Sequence, residues 1–111
     1  VVSGVMRTKY GVVTAYESKN SDFIIGSQHH IVGIDTTSSV VTASLPGAAV
    51  APAGRMLIFK DTGGNAATKN IVIDPNGSEK IDGALQAKIT SNSGSMSIFC
   101  DGLSWYIHAV S

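Results

Sequence analysis

The chain of 111 residues is long enough to bury one hydrophobic core and too short for two, so we expect a single domain over residues 1–111. Only 14% of the residues are charged, and 8 basic side chains balance 8 acidic ones, which excludes the basic surface that nucleic-acid binding requires. No apolar run approaches the roughly 20 residues of a membrane-spanning helix, so we expect a soluble domain.

The composition favours β-structure. Val and Ile far outnumber Leu, and Ser and Thr are abundant, a balance typical of pleated strands joined by polar turns. Cys100 has no partner for an internal disulfide, and we interpret it as a small buried hydrophobe. Because the chain begins with Val1 and not Met, we expect it to be a piece of a longer protein. Its neutral surface favours self-association.

The first half of the chain alternates short apolar runs with polar turns. Residues 5–16 predict a strand bent at Gly11, and residues 17–22 predict an exposed turn. Residues 23–25 and 30–34 predict a broken strand or a hairpin. Strand 40–45 follows turn 35–39 and ends at Pro46. The uncharged segment 46–54 is expected to cross over the core in an ordered way, with one helical turn at 48–51.

A central hairpin is predicted next. Residues 55–60 and 70–74 are β-rich runs that flank Gly63, Gly64 and Asn65, which tolerate positive φ and so allow the chain to reverse. Both runs show too little polar alternation for a one-sided sheet. We therefore expect them to pair with each other in the middle of a sheet that is covered on both faces.

The C-terminal third predicts further hairpins. A turn at 75–80 and a tight reversal at 81–83 precede a half-buried strand whose inward residues are Leu85, Ala87 and Ile89. Strand 95–100 then turns through Asp101 and Gly102 into strand 105–110. The sum is an all-β fold of eight or nine strands, an antiparallel β-sandwich or barrel.

The histidines are weak candidates for a metal site. His29 and His30 are adjacent, so on a strand they would point to opposite faces and only one of them could join His108. We interpret all three as ordinary polar or interface residues, and we expect no metal and no cofactor.

Oxygen ligands for calcium are the next possibility. Asp61, Asn65 and Asp74 surround the central glycines, but no D-x-D-x-D-G loop with a closing Glu is present. The signal is therefore weak.

Catalysis receives no positive support, and we expect no catalytic residues. Glu17, Asp22, Glu79 and Asp82 could flank a glycosidic bond, yet each lies in a turn context where a structural role is more common. No G-x-S-x-G motif is present. The enzymatic alternative that remains open is a depolymerase of surface polysaccharides.

Aromatic side chains offer a different kind of site. Tyr10, Tyr16, Trp105 and Tyr106 could form a platform on which sugar rings stack. Aromatic residues on strands more often belong to a core or a subunit interface.

Four sequence elements resemble a module near the C-terminal ends of bacteriophage tail fibres, tailspikes and tail needles. They are V-T-x-x-L-P ending at Pro46, G-R-x-L-x-x-K-D-x-G-G-N-A at 54–66, I-D-G at 81–83 and D-G-x-x-W at 101–105. The resemblance covers Ile31 to Ile107 and not the first thirty residues. It implies a homotrimeric knob, jelly-roll or tumour-necrosis-factor-like, that caps a fibrous stem and contacts the bacterial surface from the virion.

The resemblance transfers no binding residue, so the candidate sites come from residue type and position alone. For contact with a bacterial cell-surface receptor, of which a glycan is one candidate, the residues are Tyr16, Lys19, His29, His30 and Tyr106. The polar candidates for a subunit interface, where a small anion or amino acid could also bind, are Arg7, Arg55 and Lys60. A purely structural trimerisation cap is the remaining alternative.

Overall fold

The computed structural model describes residues 13–111, which form nine β-strands and no helix. No segment of this range is a helix that could cross a membrane. Residues 5–12 of the strand predicted at 5–16, including its bend at Gly11, lie outside the described range, and of residues 13–16 only Tyr16 belongs to a strand. The strands are β1 (Tyr16–Lys19), β2 (Phe23–Ile24), β3 (Ile31–Ile34), β4 (Val41–Ser44), β5 (Met56–Asp61), β6 (Ile71–Asp74), β7 (Ala87–Ile89), β8 (Ser95–Cys100) and β9 (Trp105–Val110).

The first six strands alternate between two sheets. β1, β3 and β5 lie side by side in a five-stranded sheet, and β2, β4 and β6 lie side by side in a four-stranded sheet. Every neighbouring pair among these six is parallel, as in the registers Tyr16↔Ile31↔Ile58 and Val41↔Ile71. The chain therefore winds as three stacked coils, β1–β2, β3–β4 and β5–β6, with one strand of each coil in each sheet.

The last three strands close this winding with antiparallel pairs. β7 pairs with β6, while β8 pairs with β5 and β9 pairs with β8. The β8–β9 hairpin predicted at Asp101 and Gly102 is confirmed, and its register shifts at a bulge between Ser97 and Ile98. The complete orders are β1-β3-β5-β8-β9 and β2-β4-β6-β7.

The expected antiparallel pairing is wrong for four of the seven strand pairs. The central hairpin is also wrong, because β5 and β6 lie in different sheets. The residues between them, 62–70, cross from one sheet to the other. Alternation along a strand indicates which side chains are buried, but it does not indicate which strand lies next to it.

One hydrophobic core contains buried side chains from both sheets. Val32, Leu57 and Phe59 from the five-stranded sheet and Ile71 and Ile73 from the four-stranded sheet are fully buried in it. Trp105 and Cys100 also belong to this core, as predicted for the cysteine. β5 lies in the middle of its sheet, as predicted. It is not covered on both faces, because buried side chains alternate along it with half-buried or exposed ones, and Lys60 is exposed.

Two local predictions have different outcomes. The helical turn at 48–51 is confirmed as a single turn, in which the Ala51 amide donates to the Gly47 carbonyl at 3.0 Å, and Ala48 and Ala51 are buried against the core. Leu85 was expected to point inward, but it is 68% exposed because the strand begins only at Ala87.

The reversal at 81–83 is confirmed. Asp82 and Gly83 both have positive φ, 48° and 78°, as a type I′ turn requires, and the Ala84 amide donates to the Ile81 carbonyl at 2.8 Å. Ile81 pairs with Trp105, which attaches this turn to the start of β9.

Candidate functional site

The β2–β3 loop brings one predicted receptor residue, His29, close to another, Lys19, which lies on β1 at one edge of the five-stranded sheet. His29 is buried, and its Nδ1 accepts a hydrogen bond of 2.9 Å from the Gly26 amide. Its Nε2 lies 2.8 Å from Glu17 Oε2 but makes no hydrogen bond of good geometry. Lys19 Nζ lies 3.0 Å from Glu17 Oε1. His29 and Lys19 thus meet at Glu17, a carboxylate that was considered only for catalysis.

The surroundings of Glu17 favour its ionised form. The hydrogen bond from Lys19 holds the pKa of Glu17 below its ordinary value, and the positive charge of Lys19 and the proximity of His29 add to that effect. Lys19 Nζ also lies 5.4 Å from the centre of the Phe23 ring, within cation–π range. The edge cluster of Glu17, Lys19 and His29 is therefore a half-buried ion pair on β1 that lies beside the buried His29 of the adjacent loop.

The other receptor candidates are dispersed. Tyr16 is 60% exposed on β1 at one edge of the five-stranded sheet, and Tyr106 is on β9 at the opposite edge. His30 is half-buried at the start of β3. The aromatic platform is not assembled by the described residues, because Trp105 is fully buried in the core.

Arg55 donates hydrogen bonds to the same β2–β3 loop. Its Nη2 donates to the carbonyl oxygens of Gly26 at 2.9 Å and His29 at 2.6 Å. No carboxylate forms an ion pair with Arg55 anywhere in residues 13–111. Its Nη1 and Nε make no hydrogen bond to the described residues. The positive charge of Arg55 is therefore left without an anionic partner in this part of the chain.

A half-open depression lies beside this guanidinium, and we name it the Arg55 pocket. Its walls are Arg55, residues 25–27 of the β2–β3 loop, and Pro46, Val50 and Ala51 of the β4–β5 loop, and it encloses about 180 Å³. Most of the exposed lining is apolar. The helical turn that follows Pro46 is fixed by Glu79, whose Oε1 accepts a hydrogen bond of 3.0 Å from the Ala48 amide.

Lys60 and Arg7 are the other two cations predicted for a subunit interface. Lys60 Nζ donates to the carbonyl oxygen of Ser93 on the β7–β8 turn, so its charge is held at the end of β5 away from the Arg55 pocket. Arg7 lies outside the described residues. Whether any of these cations contacts a second subunit stays a prediction.

Asp61 has a different role from the calcium ligand considered above. Its side chain is buried at the end of β5, and both oxygens are occupied by four donors: the Thr36 hydroxyl and the amides of Gly64, Ala66 and Ser93. Burial raises the pKa of Asp61, but these hydrogen bonds outweigh burial and hold the pKa below its ordinary value. Residues 13–111 contain no cluster of three His, Cys, Asp or Glu residues that could hold a metal ion.

The four carboxylates considered for glycoside hydrolysis each have another contact. Glu17 meets Lys19 and His29, and Glu79 binds the Ala48 amide. Asp22 accepts from the Thr42 amide at 2.8 Å, and Asp82 accepts from the Ile107 amide at 3.2 Å. They lie on different loops and strands, and their contacts fit structural roles.

The outward face of the five-stranded sheet carries a set of apolar side chains that sequence reasoning missed. We name it the outer apolar face; its members are half-buried or exposed and comprise Tyr16, Ile31, Met56, Ile58, Phe99 and Tyr106. They form two adjacent rows in the strand register, Tyr16↔Ile31↔Ile58 and Met56↔Phe99↔Tyr106. Phe99 and Tyr106 stack with ring centres 5.5 Å apart.

Comparison with known proteins adds no family: no protein-family model matches the chain, and no curated protein matches it.

Proposed function

We propose that this domain is a non-enzymatic, homotrimeric tip of a bacteriophage tail fibre or tail needle that contacts the host surface during attachment or genome delivery. The observation that carries the proposal is the outer apolar face. Ile58 and Met56 lie two residues apart on the same side of β5, so their two rows form one continuous surface. An apolar surface of this kind, with few charges, is typical of the core of a subunit interface.

A second copy of the chain is the partner that fits this face best. Lys60 is the only charged residue of β5 that points outward with Met56 and Ile58, and the whole chain has a formal net charge of zero. Two copies therefore meet without the electrostatic repulsion that a strongly charged domain would experience. We further propose that the two sheets form a sandwich. Its parallel coils depart from the antiparallel order of a jelly roll, so the sandwich we propose does not have that topology.

The sequence elements that resemble phage fibre modules lie at identifiable structural positions. G-R-x-L-x-x-K-D-x-G-G-N-A covers β5 together with Asp61 and the turn that this carboxylate binds. I-D-G forms the type I′ turn at Asp82, and D-G-x-x-W forms the β8–β9 hairpin. These elements support a common scaffold, and host contact is then a task for the exposed loops.

The first experiment measures the oligomeric state. Sedimentation velocity of the full chain at micromolar concentration is expected to give a trimer. Ile58→Lys places a charge in the centre of the outer apolar face and is expected to yield monomer, whereas Val40→Lys, at a residue 48% exposed in the β3–β4 loop, is expected to remain trimeric. A wild-type chain that sediments only as a monomer would contradict the proposal.

The second experiment measures host contact. Fluorescently labelled trimer is incubated with candidate host bacteria, and adsorption is expected to be saturable and to compete with whole phage. A trimer that adsorbs to no host strain would contradict the receptor role and would indicate a structural trimerisation cap. Release of reducing ends from host polysaccharide would contradict the non-enzymatic assignment.

A further inference from the structure

We propose that the Arg55 pocket binds the carboxylate of a single hexuronic-acid residue in an acidic surface polysaccharide. This inference rests on the proposed role in host contact, and it assigns the chemistry of one binding site. Three properties of the pocket support it: an unpaired cation, an apolar wall and a small volume.

The cation selects for an anion. Arg55 carries a positive charge, and in the described chain its side chain donates to two neutral carbonyl oxygens and to no carboxylate. These carbonyls hold one terminal nitrogen in place, so the guanidinium is oriented before a ligand arrives. Nη1 and Nε remain available to an oxyanion. A planar carboxylate matches the geometry of the guanidinium N–H groups.

The apolar wall selects for a ligand with a hydrophobic face. Pro46 and Val50 of the β4–β5 loop line the same pocket as Arg55, and Val50 is 78% exposed although it is a branched aliphatic residue. The C–H face of a sugar ring can cover such a side chain while the ring hydroxyls stay in water. Ser27, an exposed residue of the opposite wall, offers a hydroxyl to these groups.

The volume restricts the ligand to one small ring. The pocket encloses about 180 Å³, which is below the roughly 300 Å³ at which sites for drug-sized ligands begin. Among the described residues that line the pocket, Arg55 is also the only charged one. One positive charge suits a monoanionic carboxylate better than a phosphate, which carries up to two negative charges at neutral pH. The pocket therefore fits one uronic-acid unit of a chain that continues into solvent.

The test is a titration of the isotopically labelled full chain followed by two-dimensional NMR. The probes are methyl β-D-glucuronide, the neutral methyl β-D-glucoside of the same shape, and inorganic phosphate. The glucuronide is expected to shift the amides of Gly26, Ser27, Val50 and Ala51 with a Kd of about 1 mM. The glucoside and phosphate are each expected to bind at least about tenfold more weakly, because each lacks either the charge or the ring.

Variants separate the pocket from the rest of the surface. Val50→Glu places a negative charge on the exposed rim and is expected to weaken glucuronide binding at least about tenfold. Leu103→Glu makes the same change at a residue 82% exposed on the β8–β9 turn and is expected to leave binding unchanged. Arg55→Lys keeps the charge, loses the planar group and is expected to weaken binding by a similar factor. Its folding is checked by the same spectra.

Two results would overturn the inference. One is the absence of glucuronide shifts at these amides up to about 20 mM; the other is equal affinity for phosphate and glucuronide, which would show that the sugar ring contributes nothing. Sedimentation and host adsorption are read separately. A trimer that adsorbs to host cells but ignores glucuronide contradicts only the pocket assignment, and a chain that binds glucuronide but ignores host cells contradicts the proposed function.

Discussion

Asp61 accepts a hydrogen bond of 2.7 Å from the hydroxyl of Thr36, a residue 25 positions earlier in the chain, and both side chains are fully buried. Thr36 in turn accepts from the Asn65 amide at 3.0 Å. The carboxylate also accepts from the amide of Ser93 at 2.9 Å. One side chain thus joins the β3–β4 turn, the loop 62–70 and the β7–β8 turn at the end of β5.

Asp61→Asn is expected to destabilise the fold by about 3 kcal/mol or more, because an amide group in the same place presents N–H donors to backbone donors and leaves buried groups unpaired. Asp74→Asn is the matched control at the end of β6, where no backbone amide of residues 13–111 donates to the side chain. Urea unfolding of both variants gives the comparison. Equal midpoints for Asp61→Asn and wild type would contradict the role assigned to this carboxylate.

Stability is expected to fall in acid, and Asp61 is expected to supply a large part of the change. Its folded-state pKa lies below the ordinary value of 3.8, so the ionised form stabilises the fold above that pH. This contribution is lost as the pH falls through the folded-state pKa. Asp35 and Asp101 act in the same direction, because hydrogen bonds from Thr37, and from the amides of Ser104 and Leu103, lower their pKa values.

The measurement is urea unfolding at a series of pH values. The free energy of unfolding is expected to be nearly constant between about pH 5 and pH 8 and to decrease below about pH 4. In Asp61→Asn the decrease below pH 4 is expected to be smaller. An identical acid dependence in wild type and variant would show that Asp61 does not titrate in this range.

Gly63→Ala is expected to cost about 2 kcal/mol or more, because a Cβ at this position would lie 2.4 Å from the Thr36 backbone nitrogen and 2.6 Å from Asp35 Oδ1. Gly47→Ala is the matched control. Its Cβ would meet nothing closer than 3.8 Å, and its φ is not positive, so a change within about 0.5 kcal/mol is expected. Thermal unfolding followed by circular dichroism distinguishes the two variants, and equal melting temperatures would contradict the predicted close approach.

His29→Ala is expected to lower the free energy of unfolding by about 1–3 kcal/mol, since it removes the acceptor of the Gly26 amide and a buried side chain. His30→Ala changes the neighbouring, half-buried histidine, which makes no side-chain hydrogen bond in the described residues, and it is expected to have a smaller effect. Hydrogen exchange at the Gly26 amide checks the cause. It is expected to accelerate in His29→Ala alone, and unchanged exchange in that variant would contradict the assigned hydrogen bond.

The sequence predicted the strands better than their pairing. Asp82-Gly83 and Asp101-Gly102 were located correctly because D-G pairs have a local conformational preference that acts within a few residues. Whether β5 lies beside β6 or beside β3 depends instead on contacts between residues far apart in the chain, and the alternating pattern of each strand is the same in both arrangements.

The candidate site was predictable only in part. Arg55, Lys19 and His29 were selected by residue type. Arg55 reaches the carbonyls of the loop that contains His29 because β3 pairs with β5 in parallel, and the sequence did not predict this pairing. Asp61 was considered as a metal ligand because the sequence cannot show how many backbone amides point at a carboxylate. The outer apolar face was not predicted, because it depends on the register that places Met56, Phe99 and Tyr106 side by side on three strands.

β5 is the strand where the winding changes direction: one of its edges runs parallel to β3, and the other runs antiparallel to β8. The two sides of β5 therefore differ in how they could accept additional strands. An additional coil of two strands inserted between β2 and β3 would pair in parallel with the coils on both sides. It would lengthen both sheets while β8 and β9 stay paired as they are, with β8 on β5. The length of the parallel part can thus change while the antiparallel C-terminal part keeps its structure.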